Sequence, residues 1–204
     1  MTEKLIMRSQ NHPAFRHKAQ HGVSLIMVML ILIVVSVLGV GSAQIALMSE
    51  RGARNDRDQQ VAWQAAEAAL NDADFDMFST AGTRQTLFDG KTQNDFLADC
   101  GTSGNSIGLC ALKLTGKPAW LTANYLDVSN SAPTTAFGAF TGRNFQAGGL
   151  GVQPVQAPRY VIEMVPDPTG DKSDPTPKFL YRVTAMGFGP RTDIQAVLQM
   201  IYRI

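Results

Sequence analysis

"KAQHGVSLIMVML", Lys18–Leu30, joins a basic, histidine-bearing leader to an apolar run through a single glycine, Gly22. From Val23 to Met48 no residue is charged, and only Ser24, Ser36, Gly39, Gly41, Ser42 and Gln44 interrupt the apolar side chains. The h-region of a secretory signal is roughly 7–15 residues long and ends in a small-x-small cleavage site. A spanning helix needs about 20 residues to cross a hydrocarbon core ~30 Å thick. The run exceeds that length, so it reads as a retained anchor rather than a discarded signal.

The flanks set its direction. Lys4, Arg8, Arg16 and Lys18 precede the run against Glu3 alone, which predicts a cytoplasmic N-terminus and an exported C-terminal part. Arg51, Arg54 and Arg57 follow it, interleaved with Glu50, Asp56 and Asp58. The whole chain of 204 residues carries a net charge of +1. Without residues 1–22 the balance turns to about −2, leaving no basic patch of the kind nucleic acid demands.

Cys100 and Cys110 are the only cysteines, separated by "GTSGNSIGL". In an exported chain a close pair favours a disulfide over two free thiols or half a metal site. His12, His17 and His21 all precede Gly22, so no histidine remains beyond it to complete a ligand set.

The helical pattern continues past the anchor. Residues 49–78 lack proline and are rich in Ala, Gln, Glu and Arg. Val61, Ala65, Ala69 and Ala73 recur one turn apart, flanked by Ala62, Ala66 and Leu70, which makes an apolar stripe opposite a charged face. One helix over Val23–Phe78 is expected, apolar all round in residues 23–48 and amphipathic in 49–78. Residues 79–158 are rich in Gly, Ser, Thr, Asn and Pro and show no sustained period. A strand or short helix is expected near Trp120, and Phe137, Phe140 and Phe145 are candidates to pin the loop that holds them. Three strands close the chain, "RYVIEMV" (159–165), "KFLYRVTAMGF" (178–188) and "IQAVLQMIYRI" (194–204). In the last, Gln195, Gln199 and Arg203 share one face, and Ala196, Leu198, Met200 and Tyr202 the other. Short connections predict an antiparallel meander over 159–204, covered by the Ala-striped helix.

An apolar-then-amphipathic N-terminal helix, a junction glycine and a C-terminal antiparallel sheet together resemble the type IV pilin superfamily, an α+β fold. "ERGARNDRDQQVAWQAAEAAL", "GLC" at Cys110, "PRYVIE" and "YRVTAMGFG…AVLQMIYR" are similar to PilX-type minor pilins of the type IV pilus. The resemblance implies that residues 1–22 are a prepilin leader cut after Gly22 and that the new amine of Val23 is methylated. It implies a place in the bacterial inner membrane, then in a surface pilus, with roles in assembly, adhesion and twitching motility. Its partners would be major pilin, other minor pilins, the prepilin peptidase and, where one is displayed, a tip adhesin. No cofactor or metal is expected. A type II secretion minor pseudopilin is the alternative, but the pseudopilin that shares the next feature carries a large helical insertion not visible here.

Major pilins place Glu fifth after the cut, where it neutralises a neighbour's buried amine. Here that residue is Met27. An unpaired charge in a hydrocarbon-like core costs several kcal/mol, so a subunit lacking the carboxylate fits best at or near a tip. The reading against this is that Met27 simply faces lipid.

With no histidine after Gly22, Ser-His-Asp and Cys-His chemistry are excluded, and enzyme activity is not expected. Asp167, Asp171 and Asp174 could offer oxygens to Ca²⁺, but a solvated Pro/Asp hairpin tip explains them better. Glu67 could pair with Arg51, Arg54 or Arg57 of a neighbouring subunit, or be an ordinary solvated carboxylate. Gly39, Gly41 and Ser42 could serve helix packing or let the helix melt locally.

Overall fold

The computed structural model describes residues 23–80, 82–149, 151–169 and 178–203. The leader, Gly22 included, and the candidate ligands Asp171 and Asp174 lie outside the described residues. The chain divides into two units, Met1–Glu50 and Arg51–Ile204. Helix α1 (Val23–Phe78) contributes to both.

In the first unit, α1 exposes its apolar side chains on every side. It is long and apolar enough to cross a membrane. Its mid-run hydroxyls bond backward into the helix, Ser36 Oγ to the Leu32 carbonyl (2.7 Å) and Ser42 Oγ to that of Leu38 (2.8 Å). Among the described residues nothing comes within 4 Å of the space that a side chain would take at Gly39 or Gly41.

In the second unit, Ala62, Ala65, Ala66, Ala69, Leu70, Ala73 and Met77 are buried. The alanine stripe therefore is the packed face, with Val61 at its half-exposed margin. The three expected strands form as β3 (Arg159–Pro166), β4 (Phe179–Phe188) and β5 (Gln195–Arg203), an antiparallel meander. Two short strands from the unread middle extend the sheet beyond that meander. Strand β1 (Leu109–Ala111) pairs parallel to β3, and β2 (Thr135–Ala136) pairs antiparallel to it. The sheet order is β1-β3-β4-β5, with β2 also on β3, so the sheet is mixed.

Strand alternation sends Tyr160, Ile162, Met164, Tyr181, Val183 and Ala185 into a core with the helix. The opposite face holds Val161 and Phe188, covered by Cys100, Cys110, Tyr125 and the short helix α2 (Ala119–Thr122). The segment around Trp120 is thus helical. In β5, Ala196 is buried and Leu198 and Tyr202 half-buried, but Met200 is exposed. The face expected to be polar also exposes Val197 and Ile201.

Helix and sheet come into close backbone approach at Gly187 of β4. A Cβ there would collide with the Ala62 carbonyl and the Ala66 amide. Only backbone without a side chain fits against a helix face made of alanine. Gly187→Ala is expected to cost about 1–3 kcal/mol through overpacking. Gly52→Ala, in an open stretch of the same helix, is expected to stabilise by about 0.5–1 kcal/mol. Urea unfolding of the detergent-solubilised chain, read by Trp fluorescence, should give shifts of opposite sign.

Candidate functional site

The residues expected to meet neighbouring subunits fall in two places along α1. Val23 is the first described residue of α1, and Met27 lies one turn on, both exposed. Met27 has no charged neighbour among the described residues of that run. Arg51, Arg54, Arg57 and Glu67 are exposed further along. The Arg57 guanidinium lies 2.9 Å from Asp58. Glu67 accepts a hydrogen bond from the Trp63 indole at 2.9 Å. Helix rise separates Glu67 from these arginines by about 15–24 Å, so the structure does not bring them together within one chain. Any pairing between them has to join two chains.

Cys100 and Cys110 are disulfide-bonded, and both are buried. The bond ties the turn at Leu97–Gly101 to β1, whose backbone it also meets through Leu97 N–H to Leu109 O and Ala111 N–H to Leu97 O. Asp167 accepts from the Thr169 amide and hydroxyl and from Arg203, so it serves a local turn.

The strongest polar constellation is one that sequence periodicity hid. Asp72 and Asp76, acidic residues in the amphipathic half of the helix, are both fully buried. They stand three residues beyond Ala69 and Ala73, on the packed stripe, and that spacing was the available signal. Arg84 is equally buried and reaches back to Asp76. Its Nε lies 2.9 Å from both carboxylate oxygens, and Nη2 lies 2.5 Å from Oδ2. Nη2 also donates to Thr135 Oγ1 (3.2 Å), and Nη1 to the carbonyls of Asn105 (3.0 Å) and Ile107 (2.7 Å). A guanidinium has five N–H donors, and these contacts engage all of them. The Phe140 ring lies 3.8 Å from the guanidinium carbon, completing the cage. Tyr160 of β3 donates to Asp76 Oδ2 at 2.9 Å. Burial first, then the Asp76 charge, pushes the Tyr160 hydroxyl well above its ordinary pKa, so it stays a donor.

Asp72 performs a parallel task one turn earlier. It accepts from the Gly138 amide (2.7 Å) and the Thr141 hydroxyl (2.6 Å), with Arg143 at 3.5 Å. Burial pushes its carboxyl upward, against the pull of those donors and of Arg143. Phe137 and Phe145 meet at 5.2 Å between ring centroids, so the aromatics do pin this loop. On the opposite face of the sheet, Glu163 is buried and receives Arg182 at 2.7 Å. Arg159, next to β2, donates to the Thr134 hydroxyl and carbonyl. These contacts make a rigid platform from a segment with little regular structure.

Removing one partner of a buried pair strands the other charge. Arg84→Met is expected to destabilise by about 3–5 kcal/mol, and Arg84→Met with Asp76→Leu by clearly less, in a double-mutant unfolding cycle. Asp72 gives a pH signature. A carboxyl raised in the fold contributes most favourably below its unfolded value and loses that contribution as pH rises through the folded one. The stability of Asp72→Asn relative to the unsubstituted chain should therefore increase from pH 4 to pH 7 in paired thermal melts.

A family model described as PilX N-terminal matches residues 21–71. A second, described as type IV pilus assembly protein PilX C-term, matches residues 51–204. No curated protein and no solved structure matches the chain.

Proposed function

Since the chain belongs to the PilX family of type IV pilus assembly proteins, we propose that it is a minor pilin acting as a priming or tip-proximal subunit. The observation that carries the assembly reading is the exposed apolar surface of α1 before Glu50. Such a surface needs lipid or other apolar helices around it.

On this reading the leader is cut after Gly22 and Val23 gains a methylated amine. The anchor sits in the inner membrane with its N-terminus inside, until the chain joins the filament that emerges at the cell surface. Met27 offers no carboxylate to a neighbour's amine, which favours a position where no amine must be matched. Arg51, Arg54, Arg57 and Glu67 are then contacts to other minor pilins and to major pilin. The disulfide-stapled platform is the candidate surface for a tip adhesin, and adhesion and twitching motility depend on the pilus so primed.

Deletion of the gene tests this. Absent or sparse pili by electron microscopy, lost twitching and normal type II exoprotein release are expected. Normal pili with blocked secretion would overturn the reading. Immunogold label on a tagged, complementing chain should mark pilus ends, whereas label spread along the shaft would refute the tip position.

A further inference from the structure

Strand β5 forms the free edge of the sheet, and its backbone direction follows from one hydrogen bond. The Gly189 amide donates to the Ile194 carbonyl at 2.8 Å, closing the β4–β5 turn. Antiparallel pairs alternate, so Ala196, Leu198, Met200 and Tyr202 exchange hydrogen bonds with β4. Val197, Gln199 and Ile201 therefore point their N–H and C=O groups away from the sheet. Gln195 obeys the same alternation: its outward carbonyl is taken by the Gln59 side chain at 3.2 Å. Among the described residues nothing bonds the outward groups of Val197, Gln199 or Ile201.

Proteins blunt such edges with proline, lysine, bulges or short strands. Here the strand "QAVLQMIYR" contains neither proline nor lysine, and its register against β4 runs unbroken from Gln195 to Arg203. Apolar side chains flank the bare backbone on both sides. Val197 (47% exposed) and Ile201 (64%) lie on the face away from the helix, and Met200 (46%) on the other. Trp63, 50% exposed, stands one helical turn beyond Gln59, which touches β5.

We infer that β5 accepts an extended strand from a different protein of the pilus, added edge-on to the sheet. The side chains specify its chemistry. It places apolar residues opposite Val197 and Ile201, with a polar residue between them facing Gln199. It sets a second carboxylate opposite Arg203, whose guanidinium is largely exposed and already pairs with Asp167 at 3.2 Å. Backbone pairing supplies affinity in such an addition, and the alternate side chains supply selectivity. This inference rests on the pilus-assembly reading and names a surface that assembly would use.

The test uses the full-length chain in piliating cells, with the photo-crosslinker p-benzoylphenylalanine at position 197 or 201 and, as a control, at the remote exposed Val128. Adducts from 197 and 201, and not from 128, should map by mass spectrometry to one extended segment of a second pilus protein. Adducts to a second copy of this chain, to a helix, or to nothing would overturn the proposal. Ile201→Pro removes only an outward N–H, and proline is tolerated where a strand's N–H faces away from the sheet. It should leave the melting temperature within a few degrees yet reduce the adduct at 197 and the number of pili about tenfold, a loss worth one hydrogen-bonded pairing. Ile201→Lys keeps the backbone and blunts the edge, and it should act the same way if the proline variant misfolds. Folded variants that cross-link and piliate normally would sink the inference. Pili lost on gene deletion but kept in these variants would reject the edge alone and leave the assembly reading standing.

Discussion

The guanidinium of Arg84 is where four separate segments of the second unit meet. Through it the end of α1 at Asp76, the turn at Asn105–Ile107, β2 at Thr135 and the loop at Phe140 are fixed to one another. Tyr160 joins β3 to the same carboxylate. An ion pair this deep loses hydration on both sides, and it persists because every N–H and both carboxylate oxygens find partners. Hydrophobic area alone would not hold residues 79–158, whose regular elements are only a few residues long. Directional bonds to a helix already packed on a sheet give that stretch its single arrangement.

The packing beneath it obeys a simpler constraint. Alanines at one-turn spacing leave the helix face almost flat, and Gly187 leaves the facing strand bare at the point of close approach. The backbones can then come together with no side chain between them, and the larger residues Met77, Tyr181, Tyr160 and Ile162 fill the adjoining core. That arrangement places Asp72 and Asp76 on the packed stripe, within reach of the loops that need them.

The parts of this architecture set by periodicity could be read directly from the sequence. The end of the helix at Phe78, the alanine stripe, the three final strands and the Cys100–Cys110 bond all follow from local spacing or from a lone pair of cysteines. The short strands β1 and β2 could not be read, because their pairing with β3 depends on contacts distant in sequence. Asp72 and Asp76 were hidden for another reason. A carboxylate beside charged neighbours looks solvated unless its partner is known, and Arg84 sits within a stretch of no recognisable period. On β5 the alternation was legible, but the exposure of Val197 and Ile201 was not. A strand's pattern gives its two faces without saying which face is covered or which edge is free.

The backward bonds of Ser36 and Ser42 have a consequence for how the apolar helix changes surroundings. Both hydroxyls in the middle of the run are satisfied by the helix's own carbonyls, while Ser24 and Gln44 stand toward its ends. The mid-section thus brings no unsatisfied side-chain donor to either an acyl chain or a neighbouring helix. Moving it from one apolar medium to another neither breaks nor makes a polar contact there. Those two hydroxyls therefore add no polar barrier of their own to a change from one apolar surrounding to another.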